Sequence, residues 1–261
     1  MRFTLRVAVA ASWAAGLSGC VASISPQARA DLVAAGDAYD RGDDASAVRA
    51  ASRFLAVHPR VEEAGEALYV RGMAQRRQGK TAEATKDLEA AATLAKRKDL
   101  VAAIHLALGN LAYDGGDMAS ARLHYEATLE RVPRQAPPAD QALYRLGCVL
   151  QRQGKWAQAD LYFDRLIHLF EPDELARRAE SRIRATRWSI QVAAYVRPGA
   201  EKPLVDRLRH AGLPARTDQE LRQGRMMQLV RVGAYATFGQ AESDLPKVKR
   251  IQSDAFITPA R

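Results

Sequence analysis

Few side chains in this sequence are suited to nucleophilic or metal chemistry: Cys20 and Cys148, and five histidines, His58, His105, His124, His168 and His210. Their spacing builds no catalytic centre. No H-E-x-x-H pair sets two imidazoles one helical turn apart, no Cys/His spacing suits a metal, and neither a G-x-S-x-G elbow nor a phosphate loop occurs. Cys148 falls in a helical stretch, where a buried structural thiol is the expected reading. The polar residues that do follow a pattern are Gln191, Tyr195 and Arg231, which alternate with Ile190, Val192, Val230 and Val232 in two extended runs. Successive strand side chains point to opposite faces. Alternation therefore places Gln191, Tyr195, Leu229 and Arg231 on one face, and the apolar set on the other. An amide, a phenol and a guanidinium supply donors, an acceptor and an aromatic surface, which is chemistry for binding rather than turnover. No enzyme activity, cofactor or metal is expected.

The elements that must hold those residues follow from a change of period at Trp188. Ser189 to Tyr195 reads as a strand, Glu201 to Ala211 as an amphipathic helix ended by Gly212, and Pro214 to Glu220 as a second strand. Met226 to Val232 gives a third strand, Thr237 to Ile251 a second helix, and Ala255 to Thr258 a short fourth strand. The order β-α-β-β-α-β is the ferredoxin-like plan, in which helices cover one face of a sheet and leave the other open.

Upstream, the chain repeats. Gly42, Gly79, Gly116 and Gly154 recur at intervals of 37, 37 and 38 residues. Five residues after each stands Ala47, Ala84, Ala121 or Ala159, and nine after each stands Ala51, Leu88, Tyr125 or Phe163. A glycine ends one helix in a conformation other residues resist, the alanine allows close helix crossing, and the larger residue fills the space between helix pairs. Pro59 and Pro133 stop the second helix of their units. Leu108-Gly109 and Leu146-Gly147 mark first helices, and Arg71-Gly72 retains only the glycine. The first unit departs most, with Ala35 and Ala51 at the small and large positions. The excess over a shorter basic period is expected in connections at Lys96 to Leu100 and Arg134 to Pro138, and Asp173 to Arg187 reads as a closing helix.

The front of the chain reads as an address. Arg2 and Arg6 precede a short apolar run, Val7 to Leu17, too short to cross a bilayer permanently. The net charge of +9 and pI of about 9.8 speak to partners rather than to fold. The last segment, 188–261, carries 12 Lys and Arg against 7 Asp and Glu.

Three resemblances give these patterns a setting. Leu17-Ser18-Gly19-Cys20 resembles the bacterial lipobox, which implies acylation of Cys20, a membrane anchor through the N-terminal lipid, and, with Val21 rather than Asp next, the outer membrane facing the periplasm. Residues 28–172 resemble four tetratricopeptide repeats. The inner face of such an array implies a protein partner at Tyr69, Met73 and Arg76, then Leu106, Asn110 and Tyr113, then Tyr144, Cys148 and Gln151. Ile190 to Tyr195, Gly212 to Arg216, Leu229 to Tyr235, Gln240-Ala241 and Phe256-Ile257 together resemble the SPOR domain, a peptidoglycan-binding module. Leu229 replaces an arginine of that family, Ala193 and Ala194 replace Gly-Ser, and Ala234 replaces a proline.

The resemblance implies binding of glycan strands stripped of stem peptides, enriched at division sites, through Gln191, Tyr195, Leu229 and Arg231. On this reading Arg231 pairs with the lactyl carboxylate freed when the stem peptide is removed. Nucleic acid is not an expected partner, because the strands lack the aromatic motif of RNA-recognition domains. The alternative is a scaffold for envelope assembly whose SPOR-like domain no longer binds glycan. The expected organisation is a signal segment at 1–19, anchor and spacer at 20–27, repeats with a closing helix at 28–187, and the SPOR domain at 188–261. The fold class is α + β, an all-α tetratricopeptide solenoid followed by a small ferredoxin-like βαββαβ domain.

Overall fold

The computed structural model describes residues 24–222 and 224–261. Cys20 and the apolar leader lie outside the described residues. Two compact units divide at Ala142/Leu143.

The first unit is helical: α1 (Pro26–Asp40), α2 (Asp44–Val57), α3 (Glu62–Arg77), α4 (Thr81–Leu94), α5 (Lys98–Asp114), α6 (Met118–Leu129) and the start of α7 (Ala139–Arg152). Each repeat glycine here ends a first helix with positive φ: +82° at Gly42, +76° at Gly79 and +84° at Gly116. Ala47, Ala84 and Ala121 are fully buried, as are Ala51, Leu88 and Tyr125. The first-helix glycines explain why the large position can be large. A Cβ on Gly109 would stand 2.6 Å from the Tyr125 ring, and one on Gly72 would stand 3.0 Å from Leu88. In the first unit the substitution is reciprocal: Ala35 brings a methyl group and Ala51 brings no ring, and both remain fully buried.

The connection expected at Lys96 to Leu100 is shorter than the sequence suggested. Lys98 already begins α5, and Arg97, not a longer loop, precedes it. The buried Asp87 receives a two-pronged bond from Arg71, at 2.6 Å from Nε and 2.7 Å from Nη2.

The second unit contains the rest of α7, α8 (Trp156–Leu169), α9 (Glu174–Glu180) and a four-stranded sheet with two helices. Phe163 is fully buried against Gly147, where an added Cβ would approach its ring to 2.5 Å. The closing helix is shorter than expected. Asp173 caps α9 through its carboxylate, but the helix stops at Glu180, and the chain turns through Arg184 at φ 62°. The Arg184 amide is caught by Asp160 at 3.1 Å, and the Thr186 N–H donates to the Ala260 carbonyl at 2.9 Å, committing the chain to the sheet.

The sheet comprises β1 (Arg187–Tyr195), β2 (Ala215–Arg222), β3 (Arg225–Tyr235) and β4 (Phe256–Ala260), with α10 (Lys202–His210) and α11 (Phe238–Lys249) between them. All pairings are antiparallel in the order β2-β3-β1-β4, the ferredoxin-like arrangement expected. One core lies between sheet and helices, formed by Trp188, Ile190, Val230 and Val232 from the strands and Leu204, Leu208 and Val248 from the helices. The Thr237–Gln240 capping box starts α11. The last repeat contributes an aromatic group to this unit: Trp156 lies 5.3 Å from Trp188, which meets Phe238 edge-on at 5.0 Å, with the Arg152 guanidinium 4.1 Å above the Phe238 ring.

Candidate functional site

The sheet face away from α10 and α11 is set by register. Arg216 pairs with Arg231, Arg231 with Gln191, and Gln191 with Phe256, so one row of four side chains crosses all four strands on this face. Gln191, Leu229 and Arg231 fall on the face that alternation assigns them. Tyr195 does not. A bulge between Gln191 and Ala193 inserts one residue into β1, after which Ala193 pairs with Val230 and Tyr195 with Gln228. Tyr195 therefore packs, half-buried, against the helix-side core. One extra residue inverts the facing of everything beyond it. The aromatic ring actually displayed beside Gln191 is Phe256, 51% exposed. The sequence carried the signal for it, since β4 alternation pairs Phe256 with Thr258, but not the register that sets it against Gln191.

The electrostatics also correct the expected role of Arg231. Its Nη1 donates to Asp218 at 3.2 Å and its Nη2 to Glu220 at 3.1 Å, leaving its side chain only 12% exposed. Its charge is thus already answered by two carboxylates, and the row's second arginine, Arg216, shares Asp218 at 3.2 Å and donates to the Gly233 carbonyl at 2.5 Å. Leu229 is fully buried and Gln191 is 7% exposed, so neither is the open contact expected. Two polar atoms of this face are buried without a hydrogen-bond partner: Nε of Arg231 and the Ser189 hydroxyl. Such groups are costly unless something satisfies them.

The inner-face residues of the repeats separate into two groups. Tyr69 and Met73 are half-buried against the helical cores, and burial holds the Tyr69 phenol well above its usual pKa. Leu106 is buried. The Asn110 side-chain oxygen accepts from the Tyr125 hydroxyl at 3.0 Å, which makes it a support for the packing ring. Arg76 reaches Asp114 at 3.9 Å, and Tyr113 is half-buried.

In the second unit the expected inner face of the last repeat is occupied. Arg182, just past α9, donates from Nε to the Tyr144 hydroxyl at 3.1 Å and from Nη1 to the Gln151 side chain at 2.9 Å. Gln151 Nε2 donates back to the Arg182 carbonyl at 3.0 Å. Gln151 and Cys148 are buried and do not face a partner. Spacing within one helix identified these positions, and only the turn after α9 reveals what fills them. Among the described residues no group of three or more metal-ligating side chains converges, and no helix is long and apolar enough to cross a membrane.

Models of known families match successive stretches of the chain. Residues 185–259 match the family model of the SPOR domain, and residues 88–140 and 141–171 match tetratricopeptide-repeat models. Residues 21–104 match the family described as outer membrane lipoprotein, YfiO. The chain carries tetratricopeptide repeats and a C-terminal SPOR domain, and its first part is similar to an outer membrane lipoprotein family. These families are binding and scaffold modules. No curated protein matches the chain.

Among solved structures, a tetratricopeptide repeat protein from Parabacteroides merdae aligns at 22% identity with a TM-score of 0.51, over 60% of this chain. The present chain spans 59% of the length of that structure, and the likeness shows the fold alone. MamA is similar at 21% identity over 55% of this chain and 79% of its own, with a TM-score of 0.48. The matches therefore support an envelope lipoprotein that joins tetratricopeptide repeats to a domain of the SPOR family.

Proposed function

We propose that this lipoprotein, anchored through acylated Cys20 in the outer membrane and facing the periplasm, holds stem-peptide-free glycan strands on the helix-free face of its SPOR sheet. The repeats, chiefly around Tyr69, Met73, Arg76 and Tyr113, recruit a protein partner, and division sites are where its glycan ligand is concentrated. The observation that carries the reading is the row Arg216–Arg231–Gln191–Phe256. Phe256 is the ring offered to a sugar face, while Gln191 and Ser189 are buried in the same face and do not meet the ligand. The less buried Arg216 is the cation available to a lactyl carboxylate.

The test is co-sedimentation of the full chain with peptidoglycan sacculi, untreated or stripped by an amidase. Selective pelleting with stripped material, reduced about fivefold by Phe256→Ala, is expected, because one ring contact is worth about 1 kcal/mol. Equal behaviour of both materials, or indifference to Phe256→Ala, would overturn it. Removing the competing carboxylates in Asp218→Asn/Glu220→Gln should tighten binding and steepen its salt dependence.

One observation favours a second reading. Leu229 is fully buried and Arg231 internally neutralised, as suits a scaffold domain that has lost its glycan. Absence of pelleting with either material would select it.

A further inference from the structure

The sheet has one end unlike the rest of the molecule. Beyond Tyr195, the last paired residue of β1, β2 and β3 continue together for three more pairs: Glu220 with Met227, Leu221 with Met226 and Arg222 with Arg225. The hairpin thus protrudes past its neighbouring strand. Leu221 is 67% exposed and Met226 49%, and Val196, which follows β1 at the same end, is 54% exposed. These are three of the seven large apolar side chains left exposed among the described residues. Arg197 follows Val196 and Arg225 precedes Met226 in the chain; both are exposed, and among the described residues neither makes an ion pair. Glu220, on the same hairpin, is paired with Arg231.

We infer that this hairpin end is a docking surface for the anionic phospholipid bilayer. Three features select that occupant. The surface is a protrusion and not a groove, so it suits a deformable interface better than a folded partner's helix or strand. Its exposed apolar groups are aliphatic, and so match acyl chains rather than the sugar faces that aromatic rings stack on. Its charges are arginines, whose forked donors match lipid phosphates. An aliphatic pair flanked by guanidinium groups is the composition that seats apolar atoms just below the headgroups while keeping charge at their level. The surface is separate from the Arg216–Phe256 row, so lipid contact by the hairpin leaves that row unobstructed.

The test uses the full chain carrying Cys20→Ser, to remove acylation, and Leu221→Cys labelled with an environment-sensitive fluorophore. Cys148 is buried and free, so labelling is directed to the hairpin. A label at the exposed Lys86 position of α4 serves as the control. Vesicles of phosphatidylglycerol with phosphatidylethanolamine should produce a blue shift and protection from an aqueous quencher at position 221 but not at 86. Pure phosphatidylcholine should not. Met226→Gln with Val196→Gln should weaken the apparent vesicle affinity about tenfold, and Arg197→Gln with Arg225→Gln should weaken it severalfold and remove its salt dependence. Because the probe reports the hairpin itself, attachment through the leader does not mimic the result. No shift at 221, an equal shift on phosphatidylcholine, or indifference to both paired variants would overturn the inference.

Discussion

Glycine and its facing ring behave as one residue in two places. Gly147 has no room for a methyl group because Phe163 stands where its Cβ would be. Gly147→Ala should cost about 1–3 kcal/mol of stability through overpacking, and Phe163→Leu added to it should recover part of the loss. The denaturant midpoints of the two single variants and the double variant measure that coupling. Gly233 is more constrained still, with φ +72° and a Tyr235 ring 2.3 Å from any added Cβ. The Tyr235 hydroxyl is held by Asp244 at 3.1 Å, so the ring has little freedom to withdraw. Gly233→Ala is expected to destabilise the sheet by about 2 kcal/mol or more, read as a lowered thermal midpoint of the full chain.

At the scale of elements, the second helices of the repeats start unequally. Asp43 and Asp117 accept from the first-turn amides of α2 and α6, whereas Lys80 and Lys155 hold the same position before α4 and α8 and cap nothing. A lysine there also opposes the helix dipole. Lys80→Asp should therefore stabilise the array by about 1 kcal/mol, measurable by chemical denaturation.

The α5–α6 pair carries a second dependence, on pH. His105 Nδ1 lies 3.2 Å from His124 Nδ1, so one ring must donate and the other accept. Burial, then Arg131 and His124, pushes His105 down to about 4. Burial also lowers His124, although Glu89 and Asp117 oppose it. Both depressed values mean that the folded state prefers neutral rings. The stability they contribute is present above the ordinary value of 6.5 and is lost as pH falls through the folded value near 4. The thermal midpoint should fall over that window, and His105→Gln should flatten the fall. The aspartate caps weaken only below it, because hydrogen bonds from the Ser46 and Ser120 side chains, and then from their amides, hold Asp43 and Asp117 below the usual carboxylate range.

At the scale of the molecule, the boundary between compact units does not fall where the period of the sequence changes. The last repeat shares a unit with the SPOR domain, through Trp156 on Trp188 and Arg182 on Tyr144 and Gln151. Removing the Trp156 ring should uncover Trp188 and its neighbours. Trp156→Ala is expected to lower the melting point of the second unit and to change tryptophan fluorescence, at a cost of about 2–3 kcal/mol. A fragment cut at Trp188 should be less stable than one that begins at Ala139, by either calorimetry or proteolysis.

Much of this was readable from residue order. The repeat glycines, their small and large partners, and the switch to strand alternation at Trp188 are local consequences of backbone conformation and side-chain size, which a linear pattern records. The α + β class and the β-α-β-β-α-β order followed from them. Tertiary structure decided the rest. A single inserted residue in β1 turned Tyr195 inward and left Phe256 as the displayed ring, because facing depends on register and not on spacing alone. Carboxylates on β2 neutralised Arg231, and a turn after α9 filled the face of the last repeat, because both contacts join residues that are distant in the chain and meet only when strands and helices pack.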